Sequence, residues 1–462
     1  IVIEEAAPRL YHLRITGNTT GTYVMEEQSN DGAGIFVSHG APILVDVLLS
    51  GNEIPTDWCT SENGDGAGIY AHRGAHLFLH AATLQGNQAG TSPGEERGCK
   101  GGNGGGIFLR SSFLFLRGGI LQGNNAGSSF TTYEAAEGGD GGAISAENAW
   151  IEIVDTLFQN NQAGRGGTGI IEAGYGYPGA SGGNGGAMAL RNCQVLVEQS
   201  RFERNRTGDG GSAGLASTGD TDDSGDGGAG GAIFASGGTL EIRTSSITEN
   251  STGKGGTSGM VQGDFGDVVP AYVGHGGDGA GIYLHAGHAI LRNLILSDNR
   301  TGVGGTLYSY SDFFCETYSV GDGARGGNGG GIALFESTAE LENLTLFRNQ
   351  TGRGGKGGSL YSDCVEDPYL PGEPYGDVYA GDGGPGGEGA GLYLSGGSIS
   401  IRNVTMTQNV TGPGGAGGTF SGEAMGHDGQ PGPQGSGGGL SGYAASFTYN
   451  HAWGNLPDDY SG

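Results

Sequence analysis

Residues 276–302 read GGDGAGIYLHAGHAILRNLILSDNRTG, and fifty residues later residues 326–352 read GGNGGGIALFESTAELENLTLFRNQTG. Each copy runs from a glycine cluster through an apolar stretch to an Asn-x-Thr-Gly close. The same pattern recurs along the chain. Taking the first apolar residue after each glycine cluster as an anchor gives Ile1, Ile35, Ile69, Ile107, Ile144, Met188, Ile233, Ile282, Ile332, Leu392 and Leu440. An asparagine follows 17 residues later at Asn18, Asn52, Asn124, Asn161, Asn205, Asn250, Asn299, Asn349 and Asn409, and one residue later still at Asn87. A repeat of this length is the signature of a solenoid, in which each unit buries its apolar face against its neighbours.

Within a unit the apolar residues alternate. From Ile233 they fall at Leu240, Ile242 and Ile247, with Glu241 and Arg243 turned the other way. A spacing of two is the period of a strand, and the glycine doublets in every unit exclude a helix. Three short strands per unit, repeated as stacked coils, describe an all-β, single-stranded parallel β-helix, right-handed by the crossover rule. About eleven coils spaced about 4.8 Å apart make a rod on the order of 50 Å long. The whole of residues 1–462 reads as one such domain, with residues 1–34 as its first coil and residues 440–462 as a degenerate last coil whose position 17 is Pro457.

Length varies in one place. Anchors lie 34 residues apart between Ile1 and Ile35 but 60 apart between Ile332 and Leu392, and the additions fall between the closing asparagine and the next glycine cluster. One edge of the rod therefore carries a stack of Gly-rich loops. They run either as extended polyglycine-like segments bonded to their neighbours or as irregular loops.

Two columns carry candidate chemistry. Four residues before the anchors stand Asp31, Asp65, Asp140, Asp278 and Glu388, interleaved with Asn103, Asn184 and Asn328. Oxygen-rich turns of this kind suit either calcium, a candidate cofactor, or Asx turns bonded to local amides. The closing asparagines form the second column. Asn18, Asn205, Asn250, Asn299, Asn349 and Asn409 lie in Asn-x-Thr sequons, as do Asn343 and Asn403. They read either as an asparagine ladder satisfying turn backbone or as glycosylation acceptors. The early copies at Asn87, Asn124 and Asn161 have Asn-x-Ala instead, so the column does not need a sugar.

Composition narrows the functional classes. Glycine (104) and proline (14) make about a quarter of 462 residues, and the formal charge is −28. Such a chain repels phosphate backbones, so nucleic acid is not an expected partner. No apolar run approaches the roughly 20 residues of a membrane span. The opening IVIEEAAPRL is already strand-like, without an initiator Met or signal peptide, as in a processed product. Cys59 with Cys99, and Cys315 with Cys364, lie in successive loops and are expected to form two disulfides; Cys193, beside a core strand, is expected to be a buried thiol. That places the protein in an oxidising compartment outside the cell or at its surface. The histidines (His72, His76 and His80; His285 and His288) form no metal-ligand motif, and no acid pair with a nearby base stands out. No catalytic residue is assigned.

The segments GGAI at 141–144 and 230–233, with FQNN at 158–161 and FERN at 202–205, resemble the GGAI/FxxN repeats of polymorphic outer-membrane autotransporter passengers. The resemblance implies a β-helical adhesin or surface passenger. The expected function is thus structural or adhesive: a subunit stacking head to tail with copies of itself in a surface filament, with glycans as further candidate partners. The competing expectation is a carbohydrate-active β-helix enzyme, which needs a groove lined by convergent acids.

Overall fold

The computed structural model describes the chain outside residues 21–30, 56–63, 93–98, 131–134, 173–174, 215–222, 259–271, 308–309, 313–319, 363–377, 423–424 and 462. Its described residues form strands and turns, and the main sheet joins 30 strands. The fold is a parallel β-helix. The coil from Ile233 shows the plan: Ile233–Ser236 on a first face, Thr239–Arg243 on a second and Ser246–Thr248 on a third. Each strand pairs in parallel with its counterpart one coil away, so Ile233 lies between Met188 and Ile282. The anchors stay aligned from Ile35 and Ile69 to Leu392 and Leu440.

Alternation along these strands turns Ile233, Ala235, Leu240, Ile242 and Ile247 inward, each 2% exposed or less. The stacked inward residues form one continuous cluster from Ile3 to Leu440. Like residues stack on like; Phe158 and Phe202 lie face to face inside the core at 4.6 Å. The strands turn at single left-handed residues, Thr244 (φ 48°) between the second and third faces and Glu249 (φ 58°) after the third. Glycine takes the tightest corner. At Gly279 (φ +65°) an added Cβ would lie 2.6 Å from the carbonyl oxygen of Ile282.

The last coil departs from the sequence reading. Its asparagine column is continued not at position 17 but by Asn455, 15 residues after Leu440, because this coil is shorter. A further short rung follows, with Tyr460 paired to Leu440. Asn455 donates to Asp459 Oδ1 at 2.8 Å, and Asp458 Oδ1 accepts the Gly437 amide at 2.7 Å. Two aspartates thus terminate the polar columns at this end.

The described parts of the Gly-rich loops are regular. Each leaves its closing asparagine as an outgoing segment and comes back as a returning segment, and these stack as two layers beside the coils. Gly208, Gly211 and Gly214 donate to Gly183, Ala180 and Tyr177 of the preceding returning segment at 2.8–3.0 Å. The intervening Thr207 and Gly210 donate to Ser251 and Lys254 of the next outgoing segment at 3.1 and 2.8 Å. Bonding directions that recur every third residue define a three-residue helical turn, the polyproline II type, whose backbone groups all point outward to neighbours. Irregular loops are therefore the wrong alternative for these segments.

This packing explains the glycine content. A Cβ at Gly208 would lie 1.7 Å from the Gly164 oxygen, and one at Gly164 would lie 1.7 Å from the Gly127 oxygen. Two of every three positions face another backbone, and the third faces solvent. Where the loops are longest, their distal parts add small parallel ladders, Tyr310–Asp312 with Leu360–Ser362 and Val378–Tyr379 with Gly426–His427. Val320, Leu360, Val378 and Ala380 form a satellite core there.

Candidate functional site

The closing asparagines lie where the third face ends and the glycine layers begin. Asn299 shows their bonding. Its Nδ2 donates to the Ile247 carbonyl at 3.0 Å and to Asn349 Oδ1 at 2.9 Å. Its own Oδ1 accepts both the amide and the Nδ2 of Asn250 at 3.0 Å. The same links run from Asn18 through Asn52, Asn87, Asn124, Asn161 and Asn205, and onward through Asn349 and Asn409 to Asn455. A side-chain amide has two N–H donors, and here both are engaged. Asn205, Asn250, Asn299, Asn349 and Asn409 are at most 1% exposed. In this packing their Nδ2 atoms have neither a free hydrogen nor access to solvent for a sugar.

Asn18 is exposed at the end of the column, its Nδ2 donating to Asn52 Oδ1 at 2.7 Å. Asn343 and Asn403 stand elsewhere, exposed at the corner between second and third faces with φ of 56° and 53°. Asn343 Nδ2 donates to Asn293 Oδ1 at 3.0 Å, and Asn403 Nδ2 to Asn343 Oδ1 at 2.6 Å.

The threonine of the buried sequons has a role that sequence reasoning missed. Thr301 Oγ1 donates to the Gly327 carbonyl of its own returning segment at 2.5 Å and accepts the Gly352 amide of the next coil at 2.7 Å. Thr207, Thr252 and Thr351 bridge likewise. One hydroxyl thereby joins both glycine layers and two coils. The signal was present in the sequence: Asn-x-Ala gives way to Asn-x-Thr at Asn205, within the run of lengthening loops.

The acidic column lies on the returning layer. Asp65 donates its amide to Asp31 Oδ1 at 2.8 Å, and Asn103 its amide to Asp65 Oδ1 at 2.6 Å. Asp140 Oδ1 and Asp278 Oδ1 accept the amides of Asn184 and Asn328, and Glu388 donates to Asn328 Oδ1. Two carboxylates also hold cations: Arg191 reaches Asp140 at 2.7 Å, and Arg325 grips both oxygens of Asp278 at 2.8 and 3.0 Å. These oxygens are spent on amides and guanidinium groups. Among the described residues no three of His, Cys, Asp and Glu gather as a metal site. Asp65 has a different balance. Burial, then the neighbouring Asp31 charge, push its carboxyl well above the usual range, against the Asn103 donors and the more distant Arg110. Tyr70, stacked between Phe36 and Phe108 at 5.5 and 5.4 Å, is pushed upward by burial and the same Asp31.

Cys193 is a free thiol 3% exposed, within 3.2 Å of the Arg191 carbonyl, and burial pushes its pKa up. Cys99 is buried. Cys59, Cys315 and Cys364 lie outside the described residues, so both expected pairings stand as expectations. The histidines are dispersed. His76 stacks on Phe113 at 4.2 Å, His288 meets Thr338 Oγ1 at 2.8 Å, and His285 lies 3.8 Å from Glu336. His72 packs among the rings of Phe36 and Tyr70, and burial lowers its pKa. None of these sits with an acid pair in a cleft.

The two ends of the rod expose large apolar side chains. Ile1 and Val2 (51% and 69% exposed), Tyr11 and Leu13 mark one end; Tyr443 and Tyr449 (82% each), Trp453, Leu456 and Tyr460 mark the other. No helix among the described residues is long and apolar enough to cross a membrane. No family model matches the chain, and no curated protein or solved structure matches it; what stands is a parallel β-solenoid edged with stacked glycine segments.

Proposed function

We propose that the protein is an extracellular structural subunit whose rods stack head to tail into a surface filament. The observation that carries this reading is the uniform parallel pairing of each coil with the next, which a further copy can continue at an apolar outer coil. The strands of the first and the last coil both pair in parallel with their inner neighbours, so their outer edges can pair with another copy in the same way. Unpaired strand edges beside apolar side chains recruit further strands. A contact between two unlike ends leaves a free end on each side and propagates as a fibre. Strong acidity keeps the sides of such rods from clumping, and stacked polar columns make each coil a rigid step. The cysteine placement fits an oxidising compartment.

Sedimentation and electron micrographs of the full chain over a rising concentration series test the proposal. Filaments or a ladder of linear oligomers are expected. Val2→Asp and Tyr449→Asp should each block growth, while an equimolar mixture of the two variants should give dimers and nothing longer. A monomer at every concentration, or lateral dimers unaffected by both variants, would overturn it.

A further inference from the structure

On the outer side of the outgoing glycine layer, between the third and fifth coils, lies an open cavity of about 370 Å³. Gln88, Asn125 and Gln162 line it; each directly follows a ladder asparagine, and they are joined by successive parallel bridges. Their side chains therefore enter the cavity from one wall at coil spacing. Gln88 spends its Nε2 on the carbonyls of Ala89 and Ala126. Among the described residues, the side-chain amides of Asn125 and Gln162 and the guanidinium of Arg165 make no hydrogen bond or ion pair. Ser129, also in the lining, is 4% exposed, and its Oγ is buried without a partner. Beside it Phe130 is 51% exposed at the cavity rim and makes no ring contact among the described residues.

This is a small concave site with one aromatic plate and several convergent polar groups able both to donate and to accept. A matching ligand has an apolar face and a dense rim of hydroxyls. Among the described residues the lining has no carboxylate to hold a cation, and its one arginine sits in a chain of net charge −28, which disfavours a polyanion. We infer that this cavity binds a neutral saccharide, with Phe130 against a pyranose face and Asn125, Gln162 and Arg165 hydrogen-bonding its hydroxyls. The site lies within one rod and does not depend on filament assembly.

Saturation-transfer NMR and titration calorimetry on the full chain test this, with cellohexaose, maltohexaose, xylohexaose and chitohexaose as probes and tetragalacturonate as an acidic comparison. At least one neutral probe should show saturation of its ring protons. Phe130→Ala and Gln162→Ala should each weaken its binding at least fivefold, and Asn343→Ala, on another face, should leave it unchanged. Phe130 is exposed and Gln162 projects from the surface, so both variants should keep the fold, which circular dichroism checks. The inference is overturned if none of the four neutral probes binds, if tetragalacturonate alone binds, or if binding survives both cavity substitutions.

Discussion

Replacing Asn299 by alanine tests the asparagine column most directly. The substitution removes the two bonds that Nδ2 donates, to the Ile247 carbonyl and Asn349 Oδ1, and the two that Oδ1 accepts from Asn250. The damage is unequal. Asn250 Nδ2 keeps the Phe202 and Thr248 carbonyls, and Asn349 Oδ1 keeps the Asn299 amide. The Ile247 carbonyl keeps its ladder bond from the Ser297 strand, so the Asn250 amide is the group left without its partner, at a site 0% exposed. At about 1–3 kcal/mol for a buried group left unmade, the loss should be about 1–3 kcal/mol. Asn299→Asp should be worse at neutral pH, because a buried carboxylate would face the Ile247 and Asn349 oxygens it can no longer donate to. Those oxygens would hold its pKa above the unfolded value, so the deficit should shrink as pH falls and the carboxyl regains a donor. Urea unfolding of both variants between pH 4 and 8, beside the surface control Asn343→Ala, measures this. A midpoint for Asn299→Ala equal to the control, or folded protein carrying a glycan on Asn299, would refute the reasoning.

Further outcomes follow from the same contacts. Gly208→Ala drives a Cβ to 1.7 Å from the Gly164 oxygen; it should destabilise by about 2–5 kcal/mol, whereas the exposed Lys254→Ala should stay within about 0.5 kcal/mol in thermal melts. Asp65 has a folded pKa raised by burial and by Asp31, so its ionised form destabilises the fold at neutral pH and its contribution improves as pH falls through that raised value. Asp65→Asn should therefore stabilise the fold at pH 7, a gain that fades on acidification; a loss at pH 7 would contradict it. Cys193 should resist iodoacetamide until the protein is unfolded, and non-reducing peptide maps should show Cys59–Cys99 and Cys315–Cys364, a Cys99–Cys315 link being incompatible with the coil register.

The coil was legible because its information is local and periodic. Ile233 and Leu240 declare their faces by spacing alone, and every anchor from Ile35 to Leu440 falls in the observed register. The last coil was misread for the same reason: a fixed count of 17 selects Pro457, while the shorter coil brings Asn455 into the column. The glycine layers were half legible. Composition shows that backbones approach closely, but which carbonyl Gly208 meets depends on loops about 25 residues apart aligning across coils. The sequon was open to two readings in the sequence, because Asn299-Arg300-Thr301 has the pattern of a modified loop while its Asn and Thr side chains bond between stacked turns. Nothing in the spacing of Gln88, Asn125 and Gln162 marks a cavity, because Ser129 and Phe130 complete it from farther along the loops.

The three-residue turn of the glycine segments separates what holds the protein together from what it displays. Arg206, Asp209 and Ser212 on one outgoing segment, Lys254 and Thr257 on the next, and Arg353 and Lys356 farther along occupy the positions that carry side chains outward. Successive members of a segment stand about 9 Å apart, three residues at about 3.1 Å, and neighbouring segments follow at the coil spacing of about 4.8 Å. The outer layer is in effect a printed grid. Any cell can be rewritten as cation, anion, hydroxyl or proline while the glycines beneath remain untouched, so the surface chemistry of this rod is free to diversify at a rate its core cannot match.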